Sequence, residues 1–134
     1  METFVIDSAG ATIGRVASVA AKQSLLGKQV AVINCTKALV AGRTRMVIDE
    51  YKQAVTRGGH ALNGPNWIKR SPERLLKRTI RGMLSYKMGR GEAAFDRIKC
   101  YNQVPEELKA VKALSLARTI TTQTITLAEL AKEL

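Results

Sequence analysis

Residues 3–33 read TFVIDSAGATIGRVASVAAKQSLLGKQVAVI, and their pattern sets the fold class. Thr3-Phe4-Val5-Ile6-Asp7 is a short aromatic and β-branched run of the strand type. Ser8-Ala9-Gly10-Ala11 is a turn. From Thr12 onward, Ile13, Val16, Ala17 and Ala20 recur at the helical period. Gly27 suits the position just past a helix end, where the backbone turns left-handed. Val30-Ala31-Val32-Ile33 is then a continuous apolar strand, which fits a parallel sheet covered on both faces. Strand, helix and strand within roughly 30 residues make a βαβ unit. Gly10 and Gly14 sit where a dinucleotide-binding turn would lie. The third glycine and the acidic residue after the second strand are missing, so Gly14 is expected to allow close helix–sheet packing instead. Asp7 is expected to cap the turn that follows it.

Beyond this unit the chain alternates further. Asn34 to Gly42 holds a turn and a small apolar segment, Ala38-Leu39-Val40, read as a short strand or an irregular link. A second helix is expected over 43–56, with Val47, Tyr51, Ala54 and Val55 as its buried stripe. Arg43 and Arg45 lie at its N-terminal end, where the helix dipole disfavours cations. Residues 57–71 contain Gly58, Gly59, Gly64 and Pro65 and read as a long loop. Pro72 then suits a first helical turn, with Ser71 as N-cap. Leu75, Leu76, Ile80, Met83 and Leu84 form the apolar side of this third helix. Arg74, Lys77, Arg78 and Arg81 fall at i, i+3, i+4 and i+7 on the other. Lys87 to Gly91 is read as a flexible basic loop, and Glu92 to Phe95 as one helical turn. Arg97 to Tyr101 alternates polar and apolar residues, as a strand joining the sheet would. Pro105 to Leu108 starts a short helical segment. A threonine-rich extended stretch runs on to Thr126, where Thr126 and Glu129 make a capping-box pattern before Leu127, Leu130 and Leu134. The expected architecture is a single three-layer α/β domain over 1–134. A mainly parallel central sheet is flanked by helices, and residues from about 105 onward form a C-terminal extension.

The 134 residues carry a formal charge of +11 and a pI near 10.1. Residues 42–99 hold 14 Lys or Arg against five Asp or Glu, a net of +9, so the middle of the chain is the contact region. That balance points to nucleic acid or an anionic surface. Four like charges on one helical face are easier to understand beside phosphates than in water alone. Cys35 and Cys100 are read as two buried free thiols, not a disulfide scaffold. No run is apolar enough for a membrane span, no signal peptide is seen, and a cytoplasmic location is expected. His60 lacks a triad or metal-site partner, so no metal, cofactor or catalytic residue is assigned and an enzyme is only weakly supported. Helix-turn-helix, zinc-finger and zipper spacings are absent, which favours folded RNA over sequence-specific DNA reading.

Arg81-Gly82-Met83-Leu84-Ser85-Tyr86-Lys87, followed by Arg90-Gly91, resembles the signature of a universal ribosomal protein family: family thirteen of the large subunit, in its archaeal and eukaryotic form. Val5-Ile6-Asp7 with Gly14-Arg15, Val32-Ile33-Asn34 with Gly42, and Ile98-Lys99-Cys100-Tyr101 with Pro105 resemble other motifs of that family, in the same order. Two positions depart from it: Ser85 stands where proline is usual, and Thr36 where an acidic residue is common. The resemblance implies a structural constituent of the large ribosomal subunit that binds ribosomal RNA, joins early in assembly and has other ribosomal proteins as neighbours. The expected RNA contacts are Arg74, Lys77, Arg78, Arg81, Lys87 and Arg90, then Arg43, Arg45, Arg57, Lys69 and Arg70. The basic helix and loops would project toward the RNA. Trp67 and Tyr86 are candidates for base stacking, although a lone tryptophan more often anchors a loop to its own core. Two other readings stand beside this one: a small nucleotide-binding enzyme with a Rossmann-like core, and a regulator that binds messenger RNA outside the ribosome. No membrane and no small-molecule substrate is expected in the ribosomal reading.

Overall fold

The computed structural model describes residues 3–56 and 71–134. The elements in order are β1 (Thr3–Asp7), α1 (Ile13–Leu25), β2 (Gln29–Ile33), a 3-10 turn (Cys35–Lys37), β3 (Leu39–Ala41) and α2 (Thr44–Thr56). They continue with α3 (Pro72–Gly82), α4 (Gly89–Asp96), β4 (Ile98–Cys100), a second 3-10 turn (Glu106–Leu108), β5 (Leu114–Ser115), β6 (Thr124–Thr126) and α5 (Leu127–Glu133). Among these, β4, β2, β1 and β5 lie side by side in that order. Every pairing in this sheet is parallel, with Val5 opposite Ala31 and Ala31 opposite Lys99. β3 and β6 form a separate antiparallel pair. The βαβ unit and the mainly parallel sheet expected from residues 3–33 are therefore present.

Alternation along the strands sends side chains to two faces. Ile6, Val30, Val32 and Ile98 join a large core with α1, α3 and α5 residues, including Val16, Ala17, Ala20, Leu75, Leu76, Ile80, Leu127 and Leu130. Val5, Ala31 and Ile33 face the other way and are covered by Tyr101, Val104, Leu108 and Ala113. The small residues Ala17, Ala20 and Ala21 let α1 lie close to its neighbours, α3 and α4 among them. α1 ends as expected. Gly27 has φ +94°, its N–H bonds to Ser24 O at 3.1 Å, and Lys28 N–H reaches Gln23 O at 3.3 Å, the paired closure of a Schellman motif. Asp7 also acts as expected, because its Oδ1 accepts from Ala9 N–H and from the Asn34 side-chain amide.

Several expectations need correction. Gly14 does not mediate helix–sheet packing, since a side chain there would meet nothing within 4 Å. Gly10 is the glycine the turn requires, at φ +72°. Met83 is not on the buried face: α3 has ended at Gly82, and Met83 is 45% exposed. Lys87 to Gly91 is not a flexible loop, because α4 begins at Gly89 and includes Arg90 and Gly91. Cys100 is only partly buried. In the threonine-rich stretch, β5 and β6 were not legible, since two- and three-residue strands carry too little pattern. The terminal helix is as expected, with Thr126 Oγ1 accepting from Glu129 N–H at 3.3 Å. Thr36 Oγ1 donates to Asn102 O at 3.3 Å, a bond a carboxylate cannot make. Val55, expected to be buried, and Arg57, His60, Trp67, Lys69 and Arg70 lie outside the described side chains.

Candidate nucleic-acid interface

The buried side of α3 determines where its charges go. Leu75, Leu76 and Ile80 are 1%, 0% and 0% exposed, locking the helix against α1 and β4. Glu73 in the first turn and Arg81 in the last both suit the helix dipole. Ser71 holds the N-cap position with extended backbone, but its hydroxyl makes no capping bond. With the apolar side fixed inward, Arg74, Lys77, Arg78 and Arg81 line one open cleft of about 570 Å³. The opposite wall is Phe95 from α4 with Lys99, Cys100 and Tyr101 from β4 and its exit. Among the described strands β4 is terminal in the sheet, so the cleft runs beside its outer edge. Five cations thus face one carboxylate, Glu73, across a wall that is partly aromatic.

Two of these cations, Lys77 and Arg81, lie over aromatic rings. Lys77 Nζ lies 4.8 Å from the Phe95 ring centre, and the Arg81 guanidinium lies 4.0 Å from that of Tyr86. Contacts of this kind favour one side-chain arrangement over many. Lys87 Nζ lies 6.0 Å from the same Tyr86 ring. One face of Tyr86, a candidate for stacking on a base, is therefore already occupied by Arg81. The link between α3 and α4 is a tight turn in which Met88 N–H bonds to Ser85 O at 3.0 Å. Lys87 and Arg90 project from this turn and from the first turn of α4, both exposed.

Arg43 and Arg45 do not join this cleft. They line a separate depression with Thr44, Ile48, Asp49, Lys52 and Gln123. Arg78 also borders a recess beside Tyr51, whose hydroxyl is pushed above its usual range by burial, with Thr79 and Arg78 pulling the other way. Lys99, Phe95 and Tyr101 are wall residues that no sequence pattern assigned to the site. The alternation of residues 97–101 could have placed Lys99 on the polar side of an edge strand, but nothing local says which helix lies across from it.

Both thiols are free. Cys35 is fully buried, and its pKa is raised, first by hydrogen bonding with the Cys100 thiol and next by burial. Among the described residues no group of three His, Cys, Asp or Glu is placed to hold a metal ion. None of the described helices is long and apolar enough to cross a membrane.

Comparison with known proteins matches residues 1–107 to the sequence model of the family described as ribosomal protein L13. The chain is 44% identical over 114 residues to the large ribosomal subunit protein uL13 of Methanosarcina barkeri, covering 84% of this chain and 80% of that one. It is 38% identical over 133 residues to uL13 of Methanocaldococcus jannaschii, covering 97% of this chain and 96% of the relative. Against uL13 of Methanopyrus kandleri it is 36% identical over 140 residues, covering 99% and 87%.

Proposed function

The chain belongs to the ribosomal protein L13 family, and from that premise we propose that it is a structural constituent of the large ribosomal subunit that binds ribosomal RNA through its α3 face. The observation that carries the RNA contact is the convergence of Arg74, Lys77, Arg78, Arg81 and Lys99 on one cleft. Such a concentration of positive charge is costly in isolation and is offset by phosphates, whose condensed counterions are released on binding. Arg81 and Arg90 offer planar forks to phosphate oxygens, while Lys77 and Lys87 act as point charges. The depression at Arg43 and Arg45 supplies a second, separate contact. Arg57, Lys69 and Arg70 are assigned the same role from their sequence alone.

In this reading the protein works in the cytoplasm as part of the ribosome, as one domain spanning 1–134. Residues 42–99 are the contact region, and neighbouring ribosomal proteins and ribosomal RNA are its partners. Its role is structural, not enzymatic, and extends to helping the subunit assemble. The test is sucrose-gradient sedimentation of a cell lysate in moderately high salt. Migration with the large subunit is expected. Retention with free proteins at the top of the gradient would sink the structural role.

A further inference from the structure

We propose that the cleft between α3 and the edge of β4 seats one unpaired nucleotide of the bound RNA, with its phosphates on the α3 cations and its base against Phe95 and Tyr101. This rests on the RNA-binding reading above and specifies what part of the RNA the site takes. Shape favours such an occupant. A paired helix presents its phosphates on a convex ridge and keeps its bases inside the stack. It can lie across a basic surface, but it cannot put a base into a recess. The cleft measures about 570 Å³, within the roughly 300–1,000 Å³ range of sites that enclose small molecules. A nucleotide turned out of its stack has the size and the polarity to enter.

The cleft offers both kinds of group that a nucleotide engages. Arg74, Lys77 and Arg81 bring charge from α3, while Phe95 and Tyr101 bring rings beside Lys99, with Lys77 Nζ 4.8 Å from the Phe95 ring centre. A nucleotide carries an anionic phosphate and an aromatic base in one unit. Stacking is tolerant of base identity because every base has a π-face.

The strand edge adds hydrogen-bonding groups. Val30 N–H bonds to Arg97 O at 3.0 Å and Tyr101 N–H bonds to Val32 O at 2.8 Å. Alternate residues of a parallel strand serve one neighbour, so residues 97, 99 and 101 serve β2. The backbone groups of Ile98 and Cys100 therefore point away from β2. Cys100 also lines the cleft.

The test uses two RNA hairpins of one sequence, one fully paired and one carrying a single bulged 2-aminopurine nucleotide, titrated with the full chain at one fixed moderate salt concentration. The bulged hairpin is expected to bind about tenfold more tightly, the effect of one stacked base, with quenching of the 2-aminopurine fluorescence. Phe95→Leu and Tyr101→Leu keep apolar bulk and remove a ring. Each should reduce that preference to less than about threefold. Since either change can disturb packing, the unaltered protein is also photocrosslinked to the bulged hairpin. Adducts are expected within residues 95–101. Equal binding of the two hairpins, with unchanged fluorescence, overturns the nucleotide seat and leaves RNA binding standing. Failure to bind either hairpin overturns both. Free 2-aminopurine ribonucleoside monophosphate binding as tightly as the bulged hairpin would make the cleft a mononucleotide site and overturn the proposal.

Discussion

The α-carbon of Gly91 rests on the backbone carbonyl of Ser85, with no room for a side chain between them. This contact closes the turn from α3 to α4, and Lys87 and Arg90 project from either side of it. It also accounts for the two ends of the stretch Ser85 to Gly91. Position 85 is used for its carbonyl, which serine and proline both possess, whereas position 91 must lack a Cβ. Because the obstacle is backbone, it cannot move aside as a flexible side chain would. Gly91→Ala should therefore destabilise the protein by about 1–3 kcal/mol or more, read as a lower urea midpoint. Gly14→Ala meets open space in a helix and should be neutral or stabilise by up to about 1 kcal/mol. Equal effects at the two sites would contradict the Gly91–Ser85 contact.

Converting Arg74, Lys77 and Arg81 together to glutamine should weaken RNA binding and flatten its dependence on salt. Each phosphate left without its cation reduces the log–log slope by roughly 0.7–0.9, so a combined change of about 2–3 is expected from filter binding at several salt concentrations. Thermal stability should change little, because relief of like-charge repulsion on one helical face opposes the loss of the Lys77–Phe95 and Arg81–Tyr86 contacts. An unchanged slope would place the RNA elsewhere on the molecule.

Leu76 is fully buried and Met83 is 45% exposed, although the two lie only seven positions apart. Leu76→Ala should cost about 2–5 kcal/mol. Met83→Ala should stay within about 0.5 kcal/mol, as is usual for surface positions. Denaturant unfolding of both variants measures the difference, and similar costs would contradict the helix ending at Gly82.

Burial pushes the Tyr51 hydroxyl above its ordinary range. A group that holds its proton more tightly when folded adds stability that is complete below its unfolded pKa of about 10. That stability declines as pH rises past this value and through the higher folded pKa. Ultraviolet titration should therefore show a late tyrosine step, and Tyr51→Phe should abolish it and lessen alkaline destabilisation. A late step that persists in Tyr51→Phe would assign it to another tyrosine.

The two thiols should react differently. Cys100 lies partly open on the basic cleft, whereas Cys35 is buried and kept protonated by its hydrogen bonding with Cys100 and by its surroundings. Iodoacetamide at mildly alkaline pH should label Cys100 in the folded protein and Cys35 only after unfolding. Peptide mass mapping distinguishes them, and early labelling of Cys35 would contradict its burial.

Much of the framework was readable because periodicity is a local property. Ile13, Val16, Ala17 and Ala20 mark α1 wherever it packs, and the unbroken apolar run at Val30 marks a strand covered on both faces. The cationic row on α3 was equally plain, since four charges at helical spacing share a face in any setting. What stayed hidden depended on partners distant in sequence. β5 and β6 are too short to show a pattern and exist because β1 and β3 offer them edges. The helical start at Gly89 was obscured by two glycines that read as a loop. One of them is there for Ser85 rather than for flexibility.

Charge count and hydrophobic period need no knowledge of neighbours, so the residues alone specify a basic α/β protein with an amphipathic cationic helix. Ordered motifs along the chain specify its family in the same way. The cleft is different. That the charges of α3 form one of its walls, and not an open stripe, follows from the folded arrangement. The opposite wall comes from Phe95, Lys99, Cys100 and Tyr101, brought there because β4 pairs with β2 at the edge of the sheet. That pairing joins segments about 70 residues apart, and no local pattern in either segment dictates it.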